Sequence, residues 1–239
     1  MDSIFSQRKS HPQLLPMIET EGDIQILFQN SEYLAVAKSP GVSVHNNEDG
    51  QCLLGLLEKQ LGVQGTRVKL FPAHRLDKET SGVQIFAFNS ESAAKVAGEF
   101  QKQRVRKIYT GVLRGQLRLQ EGEWNRPLTD KGEGRKNPEG SARDRVPCLT
   151  KFRVLESSSY FSLCEFDLMT GRQHQIRKHA ALCNHPIVGD PRYGEPKYNA
   201  KIAELYKSTR MYLHCSRLEL LGQVIECQIP SSFMALRLN

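Results

Sequence analysis

Residues 72–88 read PAHRLDKETSGVQIFAF, a dense polar cluster that runs directly into an apolar strand. The polar half sets Asp77 close to His74 and Arg75, a surrounding that keeps a carboxylate ionised and oriented. The apolar half, Val83–Phe88, predicts a strand. A simpler interpretation is a solvated turn in which Asp77 caps a helix, and the residue types of this segment alone favour that interpretation.

Short apolar runs separated by turn residues extend on both sides of this segment. The other predicted strands are Ile24–Phe28, Tyr33–Lys38, Ile108–Leu113, Cys148–Leu155, Tyr160–Leu168, Met211–Leu220 and Val224–Ile229. Helical spacing predicts helices over 53–61, after a cap at Asn89 or Ser90, over Arg172–Cys183 and over Asn199–Lys207. Many strands in hairpins with three or four helices indicate an α+β fold, a mostly antiparallel mixed sheet with a few flanking helices.

The length of 239 residues suits one large domain or two small ones. Residues 1–22 are polar and contain Pro12 and Pro16, so we expect a polar N-terminal leader and one folded domain over 23–239. No window approaches the ~18 uninterrupted apolar residues of a membrane helix. The first residues also lack the basic-then-apolar pattern of a signal peptide, so we expect a cytoplasmic protein.

The charge balance favours a polyanionic partner. Lysine and arginine number 33 against 26 acidic residues, a formal net charge of +7. An ordinary basic enzyme has the same composition, so the charge alone leaves the two alternatives even. None of the six cysteines forms a Cys-x-x-Cys pair, which excludes a common redox motif and a zinc ribbon.

A second polar cluster, GRQHQIRKH, occupies residues 171–179. If it is helical, His174 and Arg177 lie one turn apart on one face. One alternative is a basic solvated helix face. Another is a metal site, whose candidate ligands are His174, His179, Cys183 and His185. The spacing of five between the first two histidines does not align them on one helical face, so we expect no metal.

A basic run from Phe100 to Gln120 contains no acidic residue before Gln120 and encloses Tyr109. Its candidates for contact with a nucleic-acid backbone are Lys102, Arg104, Arg106 and Lys107. Basic residues interleaved with an aromatic ring suit a groove that follows a backbone and stacks a base. A basic strand edge with Tyr109 as sheet packing is an equal alternative. If that alternative holds, the next candidate path is the Gly-rich, charged segment Lys131–Arg145.

These segments together resemble the RluA-like family of RNA pseudouridine synthases. The matching segments are, in chain order, Val36–Gly41 with His45, His74–Val83, Lys107–Tyr109, Gly171–His179, Pro186–Asp190 with Tyr193 and Gly194, and Arg210–His214. A chance match to one such motif is plausible, whereas a match to all of them in order is not. The resemblance spans residues 24–230 and identifies 23–239 as a pseudouridine synthase catalytic domain.

The resemblance implies an isomerase that converts uridine in RNA to pseudouridine without a metal, nucleotide or redox cofactor. Asp77 matches the catalytic carboxylate, and Arg177 matches the arginine that holds it. Tyr109 matches the ring on which the extruded base rests, and Arg75 matches the arginine that fills the space left by the flipped nucleotide. We expect His74 and Ile176 to bind the substrate as well.

Two departures from the family pattern limit what the resemblance implies. The opening segment has Ser39 between Lys38 and Pro40, which bears on loop geometry more than on chemistry. Only 32 residues precede Tyr33, too few for the accessory RNA-binding domain of many relatives, so we expect a short form with the catalytic domain only. We also expect a monomer. The expected substrate is a stem-loop of ribosomal or transfer RNA. The alternatives are a non-catalytic RNA-binding protein on this fold and a metal-dependent hydrolase.

Overall fold

A computed structural model describes residues 23–45, 52–62 and 68–236, so the leader predicted over 1–22 lies outside the described residues. Within them the chain forms ten strands. They are β1 (Ile26–Gln29), β2 (Tyr33–Lys38), β3 (Phe71–Pro72), β4 (Ser81–Ala87), β5 (Arg106–Arg114), β6 (Glu121–Trp124), β7 (Thr150–Ser157), β8 (Phe161–Leu168), β9 (Leu213–Leu220) and β10 (Gln223–Glu226).

All ten strands join in one sheet, in the order β1-β2-β4-β9-β5-β8-β7-β6, with β3 beside β4 and β10 beside β9. Every pairing is antiparallel except that of β4 with β9. The predicted α+β fold with a mostly antiparallel mixed sheet is therefore confirmed. Two strands escaped prediction, β3 because it has two residues and β6 because three of its four residues are glutamate or glycine.

The helices in the described residues are α1 (Leu53–Leu61), α2 (Ser90–Gln101), α3 (Gln175–Leu182), α4 (Pro196–Tyr206) and α5 (Ser231–Ala235). Asn89 caps α2, its Oδ1 accepting from Ser92 N–H at 2.8 Å. The prediction that helix α3 begins at Arg172 is wrong. It begins at Gln175 because His174 adopts a left-handed backbone conformation, with φ of 57°. None of these helices is long and apolar enough to cross a membrane.

Strand β4 lies inside the sheet, and all seven of its residues are buried. It pairs with β2 on one side and with β9 on the other. At Gly82 the backbone φ is 115°, and a Cβ there would collide with the backbone of Cys215 on β9. Glycine is therefore required at this position, because the two strands cross too closely for any side chain.

The fold brings the two polar clusters of the sequence to one region beside the central strands β4, β9, β5 and β8. The loop that carries Asp77 leads into β4, and β5 begins beside it with Lys107 and Tyr109. Strand β8 runs antiparallel to β5, so its last residue, Leu168, reaches the same region. Helix α3 follows seven residues later, which places its first turn over the start of β4 and β5.

Candidate active site

An open cleft of about 900 Å³ lies in this region beside the central strands. Seven of the ten predicted site residues line it: His74, Arg75, Asp77, Lys107, Tyr109, Ile176 and Arg177. The other three, Lys102, Arg104 and Arg106, do not line it. The cleft thus unites the cluster before β4, the start of β5 and the first turn of α3, which are far apart in the sequence.

An ion pair between Arg177 and Asp77 forms part of the cleft wall. Arg177 Nη1 donates to Asp77 Oδ2 at 3.0 Å. The Arg177 side chain is 1% exposed, whereas that of Asp77 is 24% exposed. The guanidinium is therefore fixed within the protein, while the carboxylate it orients remains accessible to a ligand.

Asp190 fixes the opposite side of the same guanidinium. Arg177 Nε and Nη2 donate to its two carboxylate oxygens at 2.8 and 2.9 Å, and Asp190 is fully buried. Its Oδ1 also accepts from the backbone N–H groups of Arg192 and Tyr193. Burial lowers the pKa of Arg177, but the hydrogen bond and charge of Asp190, with those of Asp77, outweigh burial and raise it. Asp190 belongs to one of the matching sequence motifs, but its role becomes visible only in the fold.

Lys38 fastens the loop that carries Asp77. It is 2% exposed, and its Nζ donates to the carbonyl oxygens of Ser39, Lys78 and Thr80 at 3.0, 3.0 and 2.7 Å. Burial lowers the pKa of Lys38 to about 8, against the opposing charges of Asp77 and Glu79. The motif around Lys38 was recognised in the sequence, but its three carbonyl contacts depend on how the loop folds over β2.

His174 lies near the carboxylate oxygen of Asp77 that Arg177 does not contact. Its Nε2 lies 3.7 Å from Asp77 Oδ1, and its Nδ1 lies 3.0 Å from the hydroxyl oxygen of Tyr193. Burial lowers the pKa of His174, and the charge of Asp77 opposes this effect. From the sequence, His174 was predicted only as a neighbour of Arg177 or as a metal ligand, and its proximity to Asp77 was missed.

Tyr109 and Ile176 supply the apolar part of the cleft. Tyr109 is 9% exposed and packs within the main core, so only a small part of its surface faces the cleft. Burial raises the pKa of the Tyr109 hydroxyl well above its ordinary value, so the hydroxyl stays protonated at neutral pH. Ile176 is 4% exposed and lies on the first turn of α3.

His74 and Arg75 differ in their surroundings although they are adjacent. His74 Nε2 accepts from Ile85 N–H at 3.1 Å, and its ring stacks on Phe100 with centroids 4.6 Å apart. Burial lowers the pKa of His74 to about 3, with a smaller contribution from Lys107. The side chain of Arg75 is exposed, and its Nη1 lies 3.3 Å from His45 Nε2. Arg75 is thus the more available of the two to a ligand in the cleft.

The four basic residues before Tyr109 do not form one common surface. Arg106 Nε pairs with Asp167 at 2.9 Å and its Nη1 with Glu219 at 3.4 Å, across the neighbouring strands β8 and β9. Lys107, on the other face of β5, is 7% exposed and lines the cleft. Successive side chains of a strand point to opposite faces, which a run of basic residues in the sequence conceals.

Lys102 and Arg104, just after α2, are both exposed. Arg104 lies 3.7 Å from Glu99, with 65% of its side chain exposed. Lys102 has no ion pair within the described part of the chain.

The histidines considered as metal ligands are separated in the fold. His179 contacts Thr150 Oγ1 and the Arg126 carbonyl, both at 3.0 Å, within the core. His185 lies 2.9 Å from the Arg114 carbonyl, at the other end of β5. Over residues 23–45, 52–62 and 68–236, no group of three or more His, Cys, Asp or Glu is placed to hold a metal ion.

The sequence pattern described as RNA pseudouridylate synthase matches residues 32–182. The chain belongs to this family. It is 35% identical over 211 residues to tRNA pseudouridine synthase C of Vibrio vulnificus, which covers 82% of this chain and 84% of that protein. It is also 35% identical over 187 residues to an uncharacterized RNA pseudouridine synthase, YhcT, of Bacillus subtilis, covering 74% of this chain and 60% of that protein.

Solved structures agree with this assignment. Human RNA pseudouridylate synthase domain containing 4 superposes with a TM-score of 0.71 at 25% identity, covering 88% of this chain and 90% of that one. Human RNA pseudouridylate synthase domain containing 1 superposes with a TM-score of 0.70 at 25% identity, covering 90% of this chain and 86% of that one. The family predicted from the motifs is therefore confirmed, and the enzyme is an RNA pseudouridine synthase, an isomerase whose substrate is RNA.

Proposed function

We propose that Asp77 is the catalytic carboxylate and that the enzyme converts a uridine of transfer RNA to pseudouridine. The observation that carries the proposal is the pairing of Asp77, partly exposed in the cleft, with the fully enclosed Arg177. A carboxylate in this setting is oriented by a fixed cation and still free to approach a substrate atom. Asp190 and Lys38 support the arrangement from beneath by holding the cation and the loop.

The chemistry exchanges one bond for another. The bond between N1 of the base and C1′ of the sugar breaks, the base turns, and a bond forms between its C5 and C1′. The proton on C5 leaves to solvent and N1 gains one, so nothing is oxidised or reduced. Asp77 attacks the substrate as the nucleophile or stabilises the separated fragments. No metal, nucleotide or redox cofactor enters this sequence of steps.

The base needs a surface to rest on while it is out of its stack. Tyr109 and Ile176, which line the cleft near Arg177, offer an aromatic ring and an aliphatic side chain for this purpose. Arg75 is an exposed cation that lines the cleft, and we assign it to the space left in the RNA by the flipped nucleotide. His74 contributes through its cleft-facing ring, since its Nε2 is already occupied.

Transfer RNA is the preferred substrate class because relatives with 30–35% identity, including the Vibrio vulnificus protein, are named tRNA pseudouridine synthase C. A stem-loop suits the open cleft, because an unpaired loop base costs least to extrude. Ribosomal RNA is the second candidate. A single catalytic domain over 23–239, a monomer and a cytoplasmic location stay predictions from the sequence.

The RNA backbone has two basic surfaces available beside the cleft. Lys102 and Arg104 lie at the end of α2, whose Phe100 and Gln101 line the cleft. On the other side, Asp130 also lines the cleft. The segment that follows Asp130 has three exposed cations without ion pairs in the described residues. They are Arg135, Lys136 and Arg143. Arg106 and Lys107 are less suited to phosphate, because one is paired and the other is buried in the cleft.

The test is release of tritium from RNA labelled at C5 of uridine. Transfer RNA transcripts and ribosomal RNA fragments are incubated with an excess of the enzyme, and each position is then mapped for pseudouridine. We expect release from a transfer RNA and none with Asp77→Asn. Release from ribosomal RNA alone would overturn the substrate class and leave the role of Asp77 standing. Full activity of Asp77→Asn would overturn that role.

A further inference from the structure

His174 and Tyr193 form a pair that faces the one carboxylate oxygen of Asp77 that Arg177 leaves free. Arg177 donates to Oδ2, whereas His174 Nε2 lies 3.7 Å from Oδ1. The other ring nitrogen of His174, Nδ1, lies 3.0 Å from the Tyr193 hydroxyl oxygen. Tyr193, His174 and Asp77 therefore form a chain of neighbouring side chains that ends at the carboxylate in the cleft.

The direction of the hydrogen bond between them follows from burial. Tyr193 is 2% exposed, and burial raises the pKa of its hydroxyl, so the hydroxyl keeps its proton. Burial lowers the pKa of His174, which makes its ring neutral near pH 7. A neutral ring with its proton on Nδ1 would turn the lone pair of Nε2 toward Asp77 Oδ1, which is repulsive. The Tyr193 hydroxyl therefore donates to Nδ1, and Nε2–H faces Asp77.

The backbone at His174 is strained in a way that serves this placement. Its φ of 57° and ψ of 26° are left-handed values that side-chain-bearing residues rarely adopt. Neighbouring contacts hold it there: Gln173 N–H donates to Asp130 Oδ1 at 2.7 Å, and Lys178 N–H donates to the His174 carbonyl at 2.8 Å. Strain that surrounding contacts maintain is typical of functional positions.

We infer that His174 is a positioning residue for Asp77 and that Tyr193 acts through it by fixing the Nε2–H tautomer. The inference rests on the proposed role of Asp77. Arg177 and His174 would then restrain both oxygens of Asp77, so the plane of the carboxylate is set before the uridine arrives. A shift of about 1 Å shortens the 3.7 Å approach to hydrogen-bond length.

Two matched pairs of measurements test the inference. Tyr193→Phe removes only the hydroxyl and keeps the ring, which packs 5.4 Å from the Arg177 guanidinium carbon. The nitrogen-15 shifts of the His174 ring should report Nε2–H in the wild type and a mixture of tautomers in Tyr193→Phe. We expect the single-turnover rate at saturating RNA to fall about tenfold, with RNA affinity unchanged. His174→Gln, which retains an N–H donor, should keep more of the rate than His174→Ala.

An Nδ1–H tautomer in the wild-type enzyme would overturn the inference. So would wild-type single-turnover rates in Tyr193→Phe, or equal rates for His174→Gln and His174→Ala. The ring-nitrogen measurement does not depend on turnover. If the wild type forms no pseudouridine in any RNA, the proposed function fails while the tautomer assignment is still decided by its own result.

Discussion

Arg177 Nη1 donates to Asp77 Oδ2 at 3.0 Å, and these two residues, 100 positions apart in the sequence, meet at the wall of the cleft. Arg177 also makes a two-bond contact with the buried Asp190 and a 3.2 Å contact with Glu79. One cation thus serves three carboxylates, of which Asp77 alone lines the cleft. Asp77 is therefore the carboxylate placed for chemistry, whereas Asp190 and Glu79 support Arg177.

Asp77→Asn should fold and bind RNA but lose pseudouridine formation by at least about a thousandfold, because an amide is not a nucleophile. Glu79→Gln is the matched control, since Glu79 contacts the same Arg177 atom but does not line the cleft. Tritium release from C5-labelled RNA measures the rate, and filter binding measures affinity. A chelator should leave the wild-type rate unchanged. Equal losses in the two variants would assign the effect to Arg177 rather than to Asp77.

Replacing Arg177 tests whether the cation orients Asp77 or merely holds RNA. Arg177→Lys keeps a positive charge but cannot span Asp190 and Asp77 at once, because a lysine lacks the planar fork of donors. We expect the rate to fall far more than the affinity, with a loss of stability of about 3 kcal/mol from the imperfectly paired Asp190. A loss of affinity with a normal single-turnover rate would make Arg177 a phosphate contact. Asp190→Asn should reproduce the stability loss in urea unfolding.

The basic surfaces beside the cleft predict a salt-dependent affinity. Lys102→Ala, Arg104→Ala and the double change at Arg135 and Lys136 should each weaken binding to all RNAs alike. Each lost contact should flatten the slope of log K against log salt by about 0.7–0.9. Arg106→Ala should change the slope less, since Asp167 and Glu219 already pair with its guanidinium.

Arg118→Ala is the control for these variants. Arg118 is exposed and follows the far end of β5, about 17 Å or more from the cleft along that strand. Its removal lowers the net charge by the same amount as Lys102→Ala or Arg104→Ala, without touching either proposed surface. If Arg118→Ala weakens binding as much as the other variants do, the effect is one of overall charge, and the proposed path of the RNA is wrong.

Tyr109→Phe should leave RNA affinity within about twofold of the wild type, because the ring that faces the cleft is kept. Tyr109→Leu should lose the stacking, which is worth about 1–3 kcal/mol per base. Since burial keeps the Tyr109 hydroxyl protonated, any rate lost in Tyr109→Phe reports a hydrogen bond from the hydroxyl rather than a phenolate base. Equal affinities for the Phe and Leu variants would remove the stacking role.

His214 predicts a loss of stability on acidification. It is 2% exposed, between Ser81 Oγ and the Cys227 carbonyl, and burial lowers its pKa to about 4. Below pH 6.5 the His214 imidazole is protonated in the unfolded chain, whereas in the folded chain it is protonated only below about pH 4. The stabilisation is therefore complete above pH 6.5 and lost between 6.5 and 4, by up to about 3 kcal/mol.

Urea unfolding at several pH values measures this loss. His214→Gln should be less stable at pH 7 but should show a shallower decline toward pH 4, because its side chain does not titrate. Parallel declines in the two proteins would assign the acid sensitivity to other groups, His74 first among them, since burial lowers its pKa to about 3.

Local patterns in the sequence determined the elements of this fold, because strand alternation, helical spacing and turn residues act over a few neighbouring positions. Val83–Phe88, Tyr160–Leu168 and the cap at Asn89 were predicted close to where they lie. Asp77 and Arg177 were selected as partners through the family resemblance, and the structure brings them together.

Only the tertiary structure decided which side chains share a surface. Arg106 and Lys107 are neighbours in one basic run, yet the alternation of β5 sends one to the acidic residues of adjacent strands and the other into the cleft. Asp190 and Tyr193 follow α3 in the sequence and return to Arg177 and His174 by a turn. Contacts of this kind depend on chain segments that meet through space, so the sequence names the residues while packing determines their partners.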